Sequence, residues 1–229
     1  MNNLQKIDFF SDNYFDLARE NMVLRQLIPF GVKNPDLLQA FSHVPRELFL
    51  EEHQKQTAYA DSLIPRMFRG IMLSPHFLGR MLEEASLDGQ GKAMIIGGGS
   101  GYTAALLSSL MSLVFLLESH KVLALRAEEN MKTLGLDNVF IIQGPLAEGL
   151  ASHASFDLIL IEGAVDRIPP MIFDQLSCEG VLLTFMARGP FIKEAMCFKK
   201  HKSSWTSKVL FEGNVPTLQA FSKERIFSF

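Results

Sequence analysis

The sequence predicts an α/β fold, a doubly wound and mostly parallel sheet with helices on both faces, and two observations carry that expectation. Short apolar runs alternate with helix-forming segments through the later part of the chain, and a glycine cluster sits at a strand-to-helix junction. Continuous apolar strands suit a sheet covered on both faces, and parallel neighbours need a helical crossover between them.

Taken in order, the chain opens with helical spacing. From Asp12 to about Leu27, Phe15, Leu17, Met22, Val23 and Leu27 recur at roughly helical intervals, and Asn34 with Pro35 caps a second short helix. Asp61 to Leu73, with Pro65, Arg66, Arg69 and Gly70, has no clear period and reads as a loop placed to cover a site. A helix then opens near Ser74 and Pro75, with Ser74 as its N-cap. Strands are expected over Ala93–Ile96, Leu113–Leu117, Val139–Ile142, Leu158–Ile161 and Val181–Phe185. Helices are expected over Tyr102–Met111, His120–Leu134 and Pro170–Leu176. Met196–Lys199 and Ser207–Phe211, around a turn-prone stretch at His201–Trp205, suit a terminal hairpin that extends the sheet.

Composition narrows the function classes. The 229 residues are 48% hydrophobic and 21% charged, enough apolar material for one folded domain with a proper core. A net charge of −3 gives no general attraction to phosphate backbones or anionic membranes, so neither nucleic acid nor a membrane is the expected partner. Met1 to Phe10 lacks the basic and apolar regions of a leader, and no run approaches about 18 uninterrupted apolar residues, which points to the cytoplasm. Cys178 and Cys197 are too few for a disulfide framework, and the six histidines show no ligand spacing with them, so no metal is expected.

The chemistry concentrates in Met94-Ile95-Ile96-Gly97-Gly98-Gly99-Ser100-Gly101-Tyr102. Glycines between a strand and a helix allow a tight turn and close approach of a ligand, and the helix start supplies unpaired N–H groups. Glu118 ends the next strand about 20 residues on, the spacing at which a carboxylate accepts the hydroxyls of a ribose. Together they point to a nucleotide or S-adenosylmethionine. The plainer alternative is a sharp turn with a solvated acid at a strand end.

Read with its flanks, the chain resembles the protein-L-isoaspartate O-methyltransferase family from about Asn21 to Pro216. Val44-Pro45-Arg46-Glu47-Leu48-Phe49, Ala58-Tyr59-Ala60-Asp61, Gly99-Ser100-Gly101-Tyr102 and Phe156-Asp157-Leu158-Ile159-Leu160-Ile161 are similar to its motifs in order and spacing, and Leu176 through Gly180 to Leu183 resembles its turn into the fifth strand. Glu20 to Val23 and Pro216 to Phe221 look like a divergent bacterial branch. The resemblance implies a Rossmann-like methyltransferase fold of seven strands with an N-terminal helical extension, residues 1–75 forming the helical region and acceptor loop and 76–229 the cofactor-binding core. It implies S-adenosylmethionine held by Gly97, Gly98, Gly99, Ser100, Gly101, Tyr102, Glu118, Ser119, Pro145 and Leu146, and methyl transfer to an isoaspartyl carboxylate of a protein or peptide. Three positions depart from the family pattern. Ile95 replaces an acid that helps orient the methionine end, and Gly144-Pro145-Leu146 replaces a GDG whose Asp helps hold adenine. In the acceptor loop, Gly70-Ile71-Met72-Leu73-Ser74-Pro75 replaces QTxSxP, with Leu73 at the active-site serine and Ser74, the candidate catalytic residue, one place away. The apolar Ile71, Met72 and Leu73 suggest a less polar acceptor. These departures leave a binding module without turnover as the alternative, while a nicotinamide-dependent oxidoreductase shares the glycine loop and acid but not the downstream motifs.

Overall fold

The computed structural model describes residues 12–189, 192–202 and 204–222. The leader-free reading of Met1 to Phe10 lies outside these residues. Helix α1 (Asp12–Met22) runs on through a wider turn, Val23–Leu27, and α2 (Pro35–His43) opens as its sequence predicts. Asn34 Oδ1 accepts from the N–H groups of Asp36 at 2.9 Å and Leu37 at 3.1 Å, and Pro35 takes the first helical position, where a missing N–H costs nothing.

The segment read as a loop contains a small antiparallel pair, β1 (Ile64–Pro65) and β2 (Ile71–Met72), closed by a turn at Met67–Arg69. Two residues per strand are too few to show a period, so tertiary packing decides the pairing: Ile64, Ile71 and Met72 are all buried. Helix α3 (Pro75–Leu82) follows.

The main sheet has seven strands, β3 (Lys92–Ile96), β4 (Leu113–Glu118), β5 (Val139–Gln143), β6 (Phe156–Val165), β7 (Leu176–Ala187), β8 (Lys193–Lys200) and β9 (Trp205–Glu212), in the order β5-β4-β3-β6-β7-β8-β9. The first five are parallel, and β8 and β9 add antiparallel as the expected hairpin. Helices α4 (Tyr102–Ser108), α5 (Lys121–Leu134) and α6 (Pro170–Asp174) join strands. Several ends differ from expectation, β6 and β7 running longer than their apolar cores, and two have a visible cause. Helix α4 stops at Ser108, where the hydroxyls of Ser108 and Ser109 bond back to the Ala105 and Leu106 carbonyls and compete with the helix ladder. β7 begins at Leu176, at the position read as the end of the preceding helix, because Leu176 pairs with Phe156 across the sheet.

Alternate side chains of the strands feed two cores. On one face Ile95, Leu116 and Leu160 meet Leu27, Phe41 and Leu78 of the N-terminal helices, and on the other Met94, Leu117 and Ile159 meet Ile172 and Phe221. The chain winds from β3 through β4 to β5 and then crosses back to β6 on the other side of β3, so the strand order reverses between β3 and β6. Ligands of open α/β sheets bind outside the carboxyl ends of the strands at such a reversal. The C-terminal segment closes one side of it: Ala164 N–H donates to the Pro216 carbonyl at 3.0 Å, and Leu218 N–H to that of Ala164 at 2.9 Å. Among the described residues no helix is long and apolar enough to cross a membrane.

Candidate functional site

Gly97 follows directly on β3, its N–H bound to the Leu117 carbonyl at 2.9 Å, and Gly97 (φ 76°) and Gly99 (φ 60°) adopt left-handed backbone that side chains rarely enter. The loop therefore turns within four residues and presents bare backbone at the strand end. Glu118, at the end of β4, is buried and points back at it. Its Oε2 accepts from Gly99 N–H at 3.1 Å, and its Oε1 from His120 N–H at 2.9 Å and Ser119 Oγ at 3.3 Å. The acid is thereby aimed by fixed main-chain donors and is no solvated strand end.

These residues floor a cleft of about 600 Å³. Leu146 and Leu218 line it with apolar side chains, and Arg66, Met67 and Phe68 of the β1–β2 turn line it as well. Phe68 sits in left-handed backbone at φ 56°, a strained conformation for a bulky residue, and its ring stacks on His120 at 4.2 Å with 10° between planes. A second cleft of about 580 Å³ around Cys178 and Lys199 has no glycine loop, and size alone does not distinguish the two. Among the described residues no group of three or more His, Cys, Asp or Glu is placed to hold a metal ion.

Of the residues expected to bind a cofactor, Gly97, Gly99, Glu118, Ser119 and Leu146 border the cleft. The others do not line it. Gly98 packs on the sheet, where a Cβ would meet Leu116 at 2.5 Å and Ile95 at 2.8 Å. Gly101 lets α4 approach α5, since a Cβ there would lie 2.9 Å from Met131 Cε. The Ser100 hydroxyl donates to the Phe49 carbonyl at 2.6 Å, tying the loop to the N-terminal region. Tyr102 is fully buried beside Phe49, with the Arg46 guanidinium 4.7 Å from its ring centroid. Pro145 is exposed and opens the turn Leu146–Glu148, leaving Leu146 to face the cleft.

Ser74 is not among the residues lining the cleft. It stands at the N-cap position of α3, but its hydroxyl makes no capping bond, is buried, and has no hydrogen-bond partner among the described residues. The reading of Ile71, Met72 and Leu73 as acceptor contacts is also corrected. All three are buried in the core, and the Leu73 carbonyl accepts from Arg46 Nη2 at 2.6 Å, so their apolar character says nothing about the acceptor. His76 is packed between Phe30 and Phe77 and paired with Asp61, a structural placement.

Sequence reasoning missed Arg66 as a site residue and missed Glu162 altogether. Glu162 interrupts the apolar run of β6, and a charge inside a buried strand was the available signal. Its side chain is buried; Oε2 accepts from Thr103 Oγ1 at 2.8 Å, and Oε1 lies 3.5 Å from Arg66 Nη2. Arg66 Nη1 donates to the Gly98 carbonyl at 2.9 Å, and its side chain is 5% exposed. Burial pushes the Glu162 carboxyl above the usual carboxylate range, against the pull of Arg66 and Thr103, and pushes the Arg66 guanidinium down against the pull of Glu162.

A doubly wound sheet with a glycine loop after its central strand and an acid ending the next one defines a Rossmann-like nucleotide-binding architecture, the class to which methyltransferases of this kind belong. Residues 18–212 match the protein-L-isoaspartate(D-aspartate) O-methyltransferase family, and the chain belongs to that family. It is 36% identical over 186 residues to the protein-L-isoaspartate O-methyltransferase of Koribacter versatilis, covering 81% of this chain and 83% of that one. It is 35% identical over 176 residues to that of a Synechococcus strain, covering 77% and 72%. Among solved structures, a protein-L-isoaspartate O-methyltransferase superposes with a TM-score of 0.77 at 25% identity, over 87% of this chain and 65% of that one. The fold also matches a beta-aspartate methyltransferase of Plasmodium falciparum in complex with S-adenosyl-L-homocysteine, with a TM-score of 0.73 at 20% identity over 90% of this chain and 98% of that one.

Proposed function

We propose that this chain transfers the methyl group of S-adenosylmethionine to an isoaspartyl carboxylate of a protein or peptide. The observation that carries the reading is the Glu118 carboxylate, held by main-chain N–H groups at the rim of a glycine-floored cleft. The residues present fit the cofactor. Glu118 has lone pairs left for a ribose diol, Gly97 leaves the approach to backbone open, and Leu146 with Leu218 offers an apolar wall to a base.

When bound, the cofactor supplies a sulfonium methyl that a carboxylate oxygen attacks in line, forming the ester and releasing a neutral thioether. An ionised carboxylate needs no general base, so the chain's part is to bind, orient and exclude water. The stacked pair Phe68 and His120 adds aromatic lining to the cleft, and apolar surroundings favour a reaction in which opposite charges cancel. Ser74, which does not line the cleft, is given no role in this reading.

A binding module without turnover is the second reading, supported by Ile95 and by the Arg66 guanidinium lying on the glycine loop. Calorimetric titration with S-adenosylhomocysteine, followed by transfer of labelled methyl to an isoaspartyl peptide, separates the two. Binding with transfer above a no-enzyme control supports the enzyme, binding without transfer to any peptide acceptor supports the module, and no binding up to millimolar ligand removes both.

A further inference from the structure

Arg66 and Glu162 are two buried charges that the proposed transfer leaves without a task. Glu162 rises from β6 beneath the glycine loop, and a Cβ on Gly98 would lie 3.4 Å from its Oε2 and 2.8 Å from Ile95 Cγ2. Its carboxylate therefore stands beside Ile95, one strand over, under the same loop. Two acceptors, the Gly98 carbonyl and the Glu162 carboxylate, converge there on one cation, the Arg66 guanidinium.

That cation is loosely held. Its contact to Glu162 is 3.5 Å, beyond good hydrogen-bond length, and its buried Nε has no partner among the described residues. It also lies on the open face of Gly99, where a Cβ would overlap it, so it covers the backbone that a ligand needs to approach. A fully buried carboxylate left without a cation incurs a desolvation cost or takes up a proton, so a matching cation is favoured beside it. With Arg66 gone, an N–H-bearing cation is the group that satisfies both the Gly98 carbonyl and the Glu162 carboxylate. A sulfonium has no N–H to give a carbonyl; an α-ammonium group has three.

We propose that the Gly98 carbonyl and the Glu162 carboxylate form the subsite for the α-ammonium group of the cofactor's amino-acid end, and that Arg66 is a built-in placeholder which the cofactor displaces. The inference rests on the cofactor reading above. Glu162 then supplies from β6 the acid that Ile95 does not supply from β3, and Arg66 sets a threshold on cofactor affinity.

The test is calorimetric titration of the full chain with S-adenosylhomocysteine and with 5′-methylthioadenosine, which keeps the nucleoside and lacks the amino-acid end. Glu162→Gln is expected to weaken S-adenosylhomocysteine at least tenfold and to leave methylthioadenosine within about twofold of wild type, by the tenfold-per-1.4 kcal/mol scale for a lost charged contact. Arg66→Met is expected to tighten S-adenosylhomocysteine, because its competitor is gone. Wild type provides a check that needs no variant: N-acetylation of the homocysteine amine should weaken binding at least tenfold. Equal affinity for the acetylated and free amines overturns the subsite, and weaker binding by Arg66→Met overturns the placeholder. In both cases the cofactor reading stands if wild type still binds methylthioadenosine in a Glu118-dependent way; loss of that binding removes the reading and the inference together.

Discussion

Glu118 and Glu162 are both buried carboxylates, on the two strands that flank β3, yet they are held in opposite ways. Glu118 is fixed by main-chain N–H groups of Gly99 and His120, donors that cannot leave without unfolding the loop. Glu162 is held by side chains, the Thr103 hydroxyl and the distant guanidinium of Arg66. The difference teaches that the two acids suit different work. A carboxylate aimed by backbone is preorganised for a neutral diol, whereas one whose charge is balanced by a rotatable side chain can exchange that partner for another cation.

The largest expected effect breaks the first arm of the comparison. Glu118→Ala should cost S-adenosylhomocysteine affinity about 100-fold or more, two hydrogen bonds to a charged acceptor being lost at ~1.5–3 kcal/mol each. Titration that found unchanged affinity would place the ribose contact elsewhere. Next comes the loop between the acids. Gly99→Ala forces a side chain into left-handed backbone and onto the Arg66 guanidinium, so the unfolding free energy in urea should fall by ~1–2 kcal/mol. Gly97→Ala, whose Cβ would meet only Leu218 at 3.5 Å and Leu146 at 3.6 Å, should lose less, and a reversed order would contradict the packing.

Thr103→Val removes the hydrogen bond to Glu162 at nearly constant volume and should destabilise by ~1–2 kcal/mol, readable by the same denaturation. The pH dependence sharpens the second arm. Because burial raises Glu162 above its unfolded value, its contribution to stability is full below the ordinary carboxylate pKa of about 4.3 and is lost as pH rises through the folded value. Wild-type stability, measured from acid to neutral pH, should therefore decline relative to Glu162→Gln over that window, and parallel curves would show that the carboxyl titrates alike in both states. Smallest of all, Ser74→Ala removes a buried hydroxyl without a partner, so stability should change by less than ~0.5 kcal/mol and methyl transfer should persist. A loss of transfer there at unchanged stability would restore Ser74 as a catalytic residue.

Much of this was legible in the residues. The strands β3, β4 and β5 and the terminal hairpin stand close to where apolar runs put them, because a buried parallel strand must be apolar on both faces. The glycine loop and Glu118 were legible for a similar reason: left-handed backbone needs glycine, and the acid follows at a fixed interval. The two-residue strands β1 and β2 carry no period, and the Leu176 end of β7 depends on a partner twenty residues away. Ile71, Met72 and Leu73 misled because apolar residues in a loop look like ligand contacts until their burial is known.

By itself, then, the sequence determined the doubly wound order of elements, the glycine turn, the acid at the end of β4 and the family. Tertiary structure alone decided that Arg66 reaches the Gly98 carbonyl 32 residues on and meets Glu162 96 residues on, that Leu218 lines the cleft, and that Ser74 does not. The reason is one of range. Backbone propensity and periodicity are written in neighbours along the chain, whereas the pairing of two buried charges depends on which strands the sheet brings side by side.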